Sequence, residues 1–121
     1  MKRTILLLSL LVTLVSAHAQ KKIRVACVGN SITYGYTLPD REQNAYPFKL
    51  QKMLGDAYEV GNFGHSGATL LNKGHRPYTK VKEYEQALAF AGDIVVIHLG
   101  INDTDPRNWP NYQDEFIGDY R

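Results

Sequence analysis

The chain has 121 residues, of which 44% are hydrophobic and 21% are charged, so it suits one small globular domain and is neither disordered nor collagen-like in composition. Its single cysteine, Cys27, excludes an internal disulfide. The net charge of +2 is too small to predict a surface for nucleic acid.

The first residues have the layout of a secretory signal peptide. Lys2 and Arg3 precede an apolar run over residues 5–15, and small residues follow up to Ala19. The run is shorter than the ~20 residues of a membrane span, so we expect cleavage after Ala19 rather than an uncleaved anchor. Cleavage leaves 12 basic against 12 acidic residues. We therefore expect a neutral chain, exported to the periplasm or the medium, with no stable membrane anchor and no nucleic-acid partner.

The first predicted element of the exported chain is a buried strand. Residues 23–28 form a short, β-branched apolar run that ends at Gly29. Cys27 lies inside this run, and we interpret its thiol as a small buried hydrophobic group. The alternative is a catalytic thiol.

A loop and a helix follow. Residues 37–44 are polar and include Pro39, which predicts a loop. Apolar residues at helical spacing predict a helix over residues 45–54, with Asn44 as its N-cap and Gly55 at its end.

The middle of the chain repeats this order. Residues 58–64 predict a second strand, and a glycine-rich loop follows through Gly67 and Gly74. Apolar spacing over residues 81–91 predicts a second helix that Gly92 stops.

The last predicted strand is almost continuously apolar. It covers residues 94–99, and Pro106 and Pro110 then mark a loop. Asn111 has the features of a cap at the start of a further helix.

The predicted order is β-α-β-α-β-α, with apolar rather than alternating strands. This pattern is typical of a parallel sheet covered by helices on both faces, a three-layer α/β/α fold. Such sheets usually have about five strands, whereas three are predicted here. We therefore expect residues 20–121 to be the N-terminal part of a domain whose C-terminal part lies beyond Arg121.

Small and polar residues follow all three predicted strands, and the carboxyl ends of parallel strands meet at one edge of the sheet. Acyl transfer needs a hydroxyl nucleophile, hydrogen-bond donors for the oxyanion and a base. Ser31 offers the hydroxyl, Gly67 an unobstructed backbone N–H, and Asn102 a neutral side-chain donor. The segments that carry them are residues 29–33, 62–69 and 100–103.

Each of these residues also has a purely structural interpretation. Ser31 can cap a loop, and Gly67 can serve a tight turn, a role that is compatible with donating its N–H. Asn102 can form an Asx turn.

These segments resemble three sequence blocks of the SGNH hydrolases, also called the GDSL family of esterases and lipases. The run Gly-Asn-Ser-Ile-Thr at 29–33 resembles the first block and Asn-x-Gly-x-x-Gly-x-Thr at 62–69 the second. Gly-x-Asn-Asp at 100–103 resembles the third. The resemblance implies a flavodoxin-like α/β/α fold and an acyl-serine mechanism that needs neither cofactor nor metal. It makes Ser31 the nucleophile and Gly67 and Asn102 donors of the oxyanion hole.

The chain departs from the family pattern in two ways. Asn30 stands where the first block usually has Asp, which removes a charge but leaves the serine in place. The fourth block, an Asp-x-x-His that supplies the base, does not occur within the 121 residues, and we expect it further along a longer chain. Without it, we expect these residues alone to be inactive.

Among residues 20–121, three histidines and one aspartate are candidates to replace the base and acid of the absent Asp-x-x-His block. We interpret His65 and His75 as solvated or substrate-lining loop residues, and His98 as a strand histidine with its hydrogen bonds satisfied. Asp103 is interpreted as a structural hydrogen-bonding residue rather than a triad acid.

The runs at 30–35 and 62–69 further resemble exported bacterial carbohydrate acetylesterases, of the sialate O-acetylesterase or acetylxylan type. We therefore expect a small-molecule or carbohydrate ester as substrate. A lysophospholipase, thioesterase or arylesterase on the same fold is an alternative, and so is a catalytically silent protein. A nucleotide-binding domain is disfavoured because no Gly-x-Gly-x-x-Gly follows the first strand. The aromatic residues available for stacking on sugar, or for ordinary packing, are Tyr34, Tyr36, Tyr78, Trp109 and Tyr112.

Overall fold

The computed structural model describes residues 20–121. The predicted signal peptide, residues 1–19, lies outside the described residues, so cleavage and export remain predictions. None of the helices within residues 20–121 has the length and hydrophobicity that a membrane span needs.

Three parallel strands form the sheet, as predicted. They are β1 (Ile23–Gly29), β2 (Tyr58–Gly64) and β3 (Ile94–His98), in the spatial order β2-β1-β3. In the register, Gly29 at the end of β1 pairs with Gly64 on one side and His98 on the other. All three strands therefore end at the same level, on one edge of the sheet.

Within residues 20–121, six helices connect and flank the strands. Two of them, α3 and α4, are long enough to cover the sheet, and the others are single turns. Their bounds are Ser31–Tyr34 (α1), Arg41–Asn44 (α2), Tyr46–Leu54 (α3), Lys82–Phe90 (α4), Trp109–Tyr112 (α5) and Phe116–Tyr120 (α6). Short 3-10 helices occur at Tyr78–Lys80, Ile101–Thr104 and Gln113–Glu115.

Helices pack on both faces of β1, which gives the predicted α/β/α layering. Successive side chains of a strand point to opposite faces. Val28 packs against Tyr84 and Ala87 of α4, whereas the Cys27 thiol lies beside the Tyr46 hydroxyl of α3. The β1 side chains from Val25 to Val28 are buried because both layers cover them.

The outer strand β3 departs from the prediction that helices cover both faces of the sheet. Its apolar residues from Ile94 to Ile97 are each 38–54% exposed. The reason is its position at the edge of the described sheet, while α4 lies over β1 and β2. A cleft of about 230 Å³ lies between β3, α4 and α6, and Val95, Ile97 and Tyr120 contribute to its lining.

The boundaries around α3 differ from the prediction. Residues 37–44 were expected to form a loop, yet α2 occupies the second half of this segment. Asn44 does not cap α3, because its amide donates a hydrogen bond to the Pro39 carbonyl at 2.8 Å. Ala45 occupies the N-cap position instead, with extended backbone and no capping side chain.

Two further helix ends were also predicted wrongly. The second predicted helix does not run to Gly92, because Ala91 already ends α4 in the left-handed conformation with φ +50°. The helix predicted to start at Asn111 begins at Trp109. Pro110 fits its first turn, where a backbone N–H has no partner within the helix.

Candidate active site

Backbone hydrogen bonds continue past the strand ends and bring the three loops together. The His65 N–H donates to the Gly29 carbonyl at 2.9 Å, and the Asn30 N–H donates to the His98 carbonyl at 3.3 Å. The loop after β1, which carries Ser31, therefore lies between the loops that follow β2 and β3. This is the arrangement expected at the carboxyl edge of a parallel sheet.

Ser31 is the first residue of α1 and is half-buried. The buried Asn30 caps this helix, since its Oδ1 accepts a hydrogen bond from the Ile32 N–H at 3.0 Å. Asn62 of β2 donates from Nδ2 to the Thr33 carbonyl at 2.8 Å, which ties α1 to the neighbouring strand. Among residues 20–121, no side chain hydrogen-bonds to the Ser31 hydroxyl.

Gly67 lies in the loop after β2 with a left-handed φ of +82°, a conformation that favours glycine. The neighbouring Ala68 N–H closes a turn on the His65 carbonyl at 3.1 Å. Within the described part of the chain, no group accepts a hydrogen bond from the Gly67 N–H. The Ser66 carbonyl, in contrast, accepts a hydrogen bond from Arg76 Nη1 at 2.9 Å.

Side chains of the loop after β3 hold the loop after β2 in place. Asn102 Nδ2 donates to the Ala68 carbonyl at 2.8 Å. The fully buried Asp103 carboxylate accepts hydrogen bonds from the N–H groups of Leu70 at 2.9 Å and Leu71 at 2.7 Å. Asp103 thus has the structural hydrogen-bonding role expected from the sequence.

Asn108 adds a second connection between these loops, and the sequence offered no signal for it. Its side chain is buried, and its Oδ1 accepts a hydrogen bond from the His75 N–H at 2.9 Å. Its Nδ2 donates to the Asn102 carbonyl at 2.9 Å and lies 2.8 Å from His75 Nδ1. The backbone of Asn102 is therefore fixed as well as its side chain.

The three histidines have different surroundings. His75 is exposed and contacts Asn108, as described above. His65 is half-buried, and its Nδ1 lies 2.8 Å from Glu83 Oε2 at the start of α4. His98 is exposed at the end of β3, and its ring has no hydrogen-bond partner within residues 20–121. The expectation of a satisfied strand histidine was therefore wrong for the described residues.

The pair His65–Glu83 lines a cleft of about 440 Å³ next to the Gly67 loop. Two of the five aromatic side chains considered for sugar stacking, Tyr34 and Tyr36, also line it. The guanidinium of Arg41 lies 4.2 Å from the centre of the Tyr34 ring. The other lining residues are Ser66, Arg76 and Lys82.

Tyr78 is not available for stacking on a ligand, because it belongs to the core. Its side chain is buried, and its hydroxyl donates to the Phe63 carbonyl at 2.6 Å. Burial, with a smaller effect from Glu83, raises the pKa of Tyr78 well above its usual value. Trp109 packs edge-on against Phe116, with 5.4 Å between the ring centres.

Cys27 is fully buried in β1. Burial raises the pKa of its thiol, and a hydrogen bond with Tyr46 opposes that effect. A buried thiol with a raised pKa is the opposite of an activated nucleophile, which disfavours the alternative of a catalytic cysteine.

Comparisons with known proteins agree with this architecture. Residues 27–120 match the GDSL-like lipase/acylhydrolase family. The chain is 50% identical over 105 residues to an acetylxylan esterase of Xylanibacter ruminicola, a match that covers 87% of this chain. The chain spans only 22% of that relative's length.

A mutant of the esterase AlinE4 has a similar fold. The match has a TM-score of 0.55 at 21% sequence identity and covers 82% of this chain and 51% of the other. Since the family match extends from within β1 to the end of α6, the chain belongs to the GDSL-like lipase/acylhydrolase family.

Proposed function

We propose that this chain supplies the nucleophile and the oxyanion-binding groups of an exported esterase that removes acetyl groups from carbohydrate. The observation that carries the proposal is the convergence of three loops at one edge of the sheet. The loops carry the Ser31 hydroxyl, the Gly67 N–H and the Asn102 amide. Among residues 20–121, the Ser31 hydroxyl and the Gly67 N–H have no hydrogen-bond partner. Family membership supports the same chemistry.

In the proposed reaction, Ser31 Oγ attacks the carbonyl carbon of the ester and loses its proton to a base. The resulting oxyanion accepts hydrogen bonds from the N–H groups of Ser31 and Gly67 and from the Asn102 side chain. Collapse of the intermediate breaks the bond to the sugar oxygen, which takes the proton from the base, and water then hydrolyses the acyl-serine to release acetate and restore the Ser31 hydroxyl. We expect the base to belong to an Asp-x-x-His block outside residues 20–121.

Acetylated xylan is the substrate that we favour. The relative at 50% identity is described as an acetylxylan esterase, which supports xylan over O-acetylated sialic acid. Tyr34 and Tyr36, which line the cleft beside the Gly67 loop, supply aromatic faces suited to stacking on sugar rings. Lysophospholipids, thioesters and aryl esters are alternative substrates for the same fold and belong in the test.

The test compares the full-length gene product with its Ser31→Ala variant on 4-nitrophenyl acetate. We expect the variant to lose turnover, because it lacks the hydroxyl that attacks the ester. The exposed Thr79 provides a hydroxyl control, and Thr79→Ala should retain activity. Unchanged turnover in Ser31→Ala would falsify the assignment of the nucleophile.

The substrate is tested by comparing acetate release from acetylated xylan and from O-acetylated sialic acid, with a lysophospholipid and a thioester as further substrates. Faster release from xylan supports the preferred substrate, and a preference for any other compound rejects it. Residues 20–121 alone should show no turnover, since none of their histidines bonds to the Ser31 hydroxyl. Turnover by this segment would contradict the need for an external base.

A further inference from the structure

Arg76 makes a charged hydrogen bond to the peptide unit that contains the Gly67 N–H. Its Nη1 donates to the Ser66 carbonyl at 2.9 Å. This carbonyl and the Gly67 N–H belong to the same planar, trans peptide, so they point in opposite directions. A donor fixed on the carbonyl therefore fixes the direction of the N–H on the other side.

The backbone of Arg76 is itself held in place. Its carbonyl accepts a hydrogen bond from the Thr69 N–H at 2.8 Å, and the Tyr78 N–H donates to the Thr69 carbonyl at 2.9 Å. The segment with Arg76 is thus paired with the chain just after Gly67. The guanidinium lies so close to Gly67 that a Cβ there would be 2.9 Å from Nη1.

The Ser66–Gly67 peptide needs such support. Glycine adopts both positive and negative φ, so a peptide next to it rotates more easily than one between other residues. Among residues 20–121, the Gly67 N–H has no acceptor that would hold it. A guanidinium on the carbonyl removes this freedom, and it also polarises the peptide and strengthens the N–H as a donor.

We propose that Arg76 is a positioning residue for ester hydrolysis, holding and polarising the Ser66–Gly67 peptide so that the Gly67 N–H stabilises the oxyanion. The inference rests on the proposed function. It predicts that Arg76 affects kcat rather than KM, because the oxyanion exists only during the chemical step. A side chain that binds the ground-state substrate in the cleft would instead change KM.

The kinetic test uses Arg76→Met and Arg76→Lys in the full-length gene product. Losing a whole oxyanion donor costs about 10²–10³ in kcat, so a misaligned donor should cost about 10- to 100-fold. We expect Arg76→Met to lower kcat by this amount with KM within about twofold, and Arg76→Lys to recover part of the loss because it restores a cation. Lys80→Met removes an exposed cation from the same segment and should leave kcat unchanged.

The peptide itself is observed by NMR. Carbonyl-¹³C serine combined with ¹⁵N glycine selects Ser-Gly peptides, of which Ser66–Gly67 is the only one within the 121 residues. In the full-length gene product its resonance is identified as the one that Gly67→Ala removes. We expect Arg76→Met to shift its amide resonance, whereas Lys80→Met leaves the resonance in place. Circular dichroism of each variant verifies that it is folded.

Three results would overturn the role of Arg76: an unshifted resonance in Arg76→Met, an unchanged kcat, or a loss confined to KM. Failure of the proposed function looks different, since the wild-type protein would then hydrolyse no ester at all. In that case the NMR shift still reports whether Arg76 acts on the peptide.

Discussion

Asn102 donates a hydrogen bond from Nδ2 to the carbonyl of Ala68 at 2.8 Å, which joins the loop after β3 to the residue that follows Gly67. A side-chain amide carries two N–H groups, so the second remains available to a ligand. The two proposed oxyanion donors, Asn102 and Gly67, are therefore positioned relative to each other by a direct bond between their loops.

Replacing Asn102 by Ala should lower kcat for acetyl esters by about 10²–10³, the usual cost of one oxyanion donor. KM should change little, because the donor acts on charge that develops during the reaction. Steady-state kinetics of the full-length gene product measure both constants. Asn111→Ala, an exposed asparagine in α5, is the matched control and should behave as wild type. A normal kcat in Asn102→Ala would show that Asn102 does not stabilise the oxyanion.

Asp103 should matter for stability more than for chemistry. Its buried carboxylate accepts the N–H groups of Leu70 and Leu71, and the amide of an Asp103→Asn variant has only one oxygen to offer. Since hydrogen bonds to charged groups contribute about 1.5–3 kcal/mol, we expect a loss of this size in the free energy of unfolding. Urea unfolding of the variant measures it, with the exposed Asp114→Asn as control. Equal stability of the two variants would contradict this role for Asp103.

Tyr78 should produce a pH-dependent contribution to stability in alkaline solution. In the folded state its pKa is raised well above the value of about 10 that a tyrosine has in an unfolded chain. The contribution is therefore fully present below pH ~10 and is lost as the pH rises through the folded-state pKa, because the unfolded chain gives up its proton first.

Tyr78→Phe should abolish this dependence. It should also destabilise the protein by about 1–3 kcal/mol at neutral pH, because the carbonyl of the half-buried Phe63 loses this donor. Stability curves measured from neutral to alkaline pH test both effects. The exposed Tyr120→Phe is the control and should keep the wild-type slope. If the free energy of unfolding of Tyr78→Phe fell with rising pH as steeply as that of the wild type, the loss of stability in alkaline solution would come from other groups.

The strands, and the loops that carry the proposed site, were predictable because their signals are local. The continuous apolar run of β1 indicates a strand buried on both faces, and the polar residues after each strand mark the edge where ligands bind in such sheets. Ser31, Gly67 and Asn102 follow from these patterns together with the family resemblance. The exposure of β3 was not predictable, since it depends on which elements lie beside the strand rather than on its own residues.

The roles of residues that connect different loops could not be predicted from the sequence. Arg76 reaches a carbonyl ten residues earlier in the chain, and Asn108 reaches a backbone N–H 33 residues away. Such contacts depend on the path of the loops, which no periodicity encodes. The predicted end of α4 was wrong for a related reason. Ala91 adopts the left-handed φ that ends this helix, although Gly92 stands next to it. Gly92 instead serves close packing, since a Cβ there would lie 2.9 Å from the Ala26 side chain of β1.

Gly67 has a positive φ and also lies against Arg76, so an alanine there meets both conformational strain and crowding. Gly67 has φ +82° and Gly55 has φ +73°, so a side chain is strained at both positions. A Cβ at Gly55 meets nothing within 4 Å, whereas one at Gly67 would lie 2.9 Å from Arg76 Nη1. We therefore expect Gly67→Ala to lose both stability and esterase activity, and Gly55→Ala, which is far from the proposed site, to lose stability alone.

Removing the guanidinium should separate the two effects at Gly67. In an Arg76→Ala background the added methyl no longer meets Nη1, so Gly67→Ala should cost less stability than it does in the wild-type protein, and a double-mutant cycle measures the difference. Activity should not return with stability, because the Ser66 carbonyl still lacks the charged donor that fixes the Gly67 N–H. Recovery of both together would mean that Arg76 affects the site only through the space it occupies.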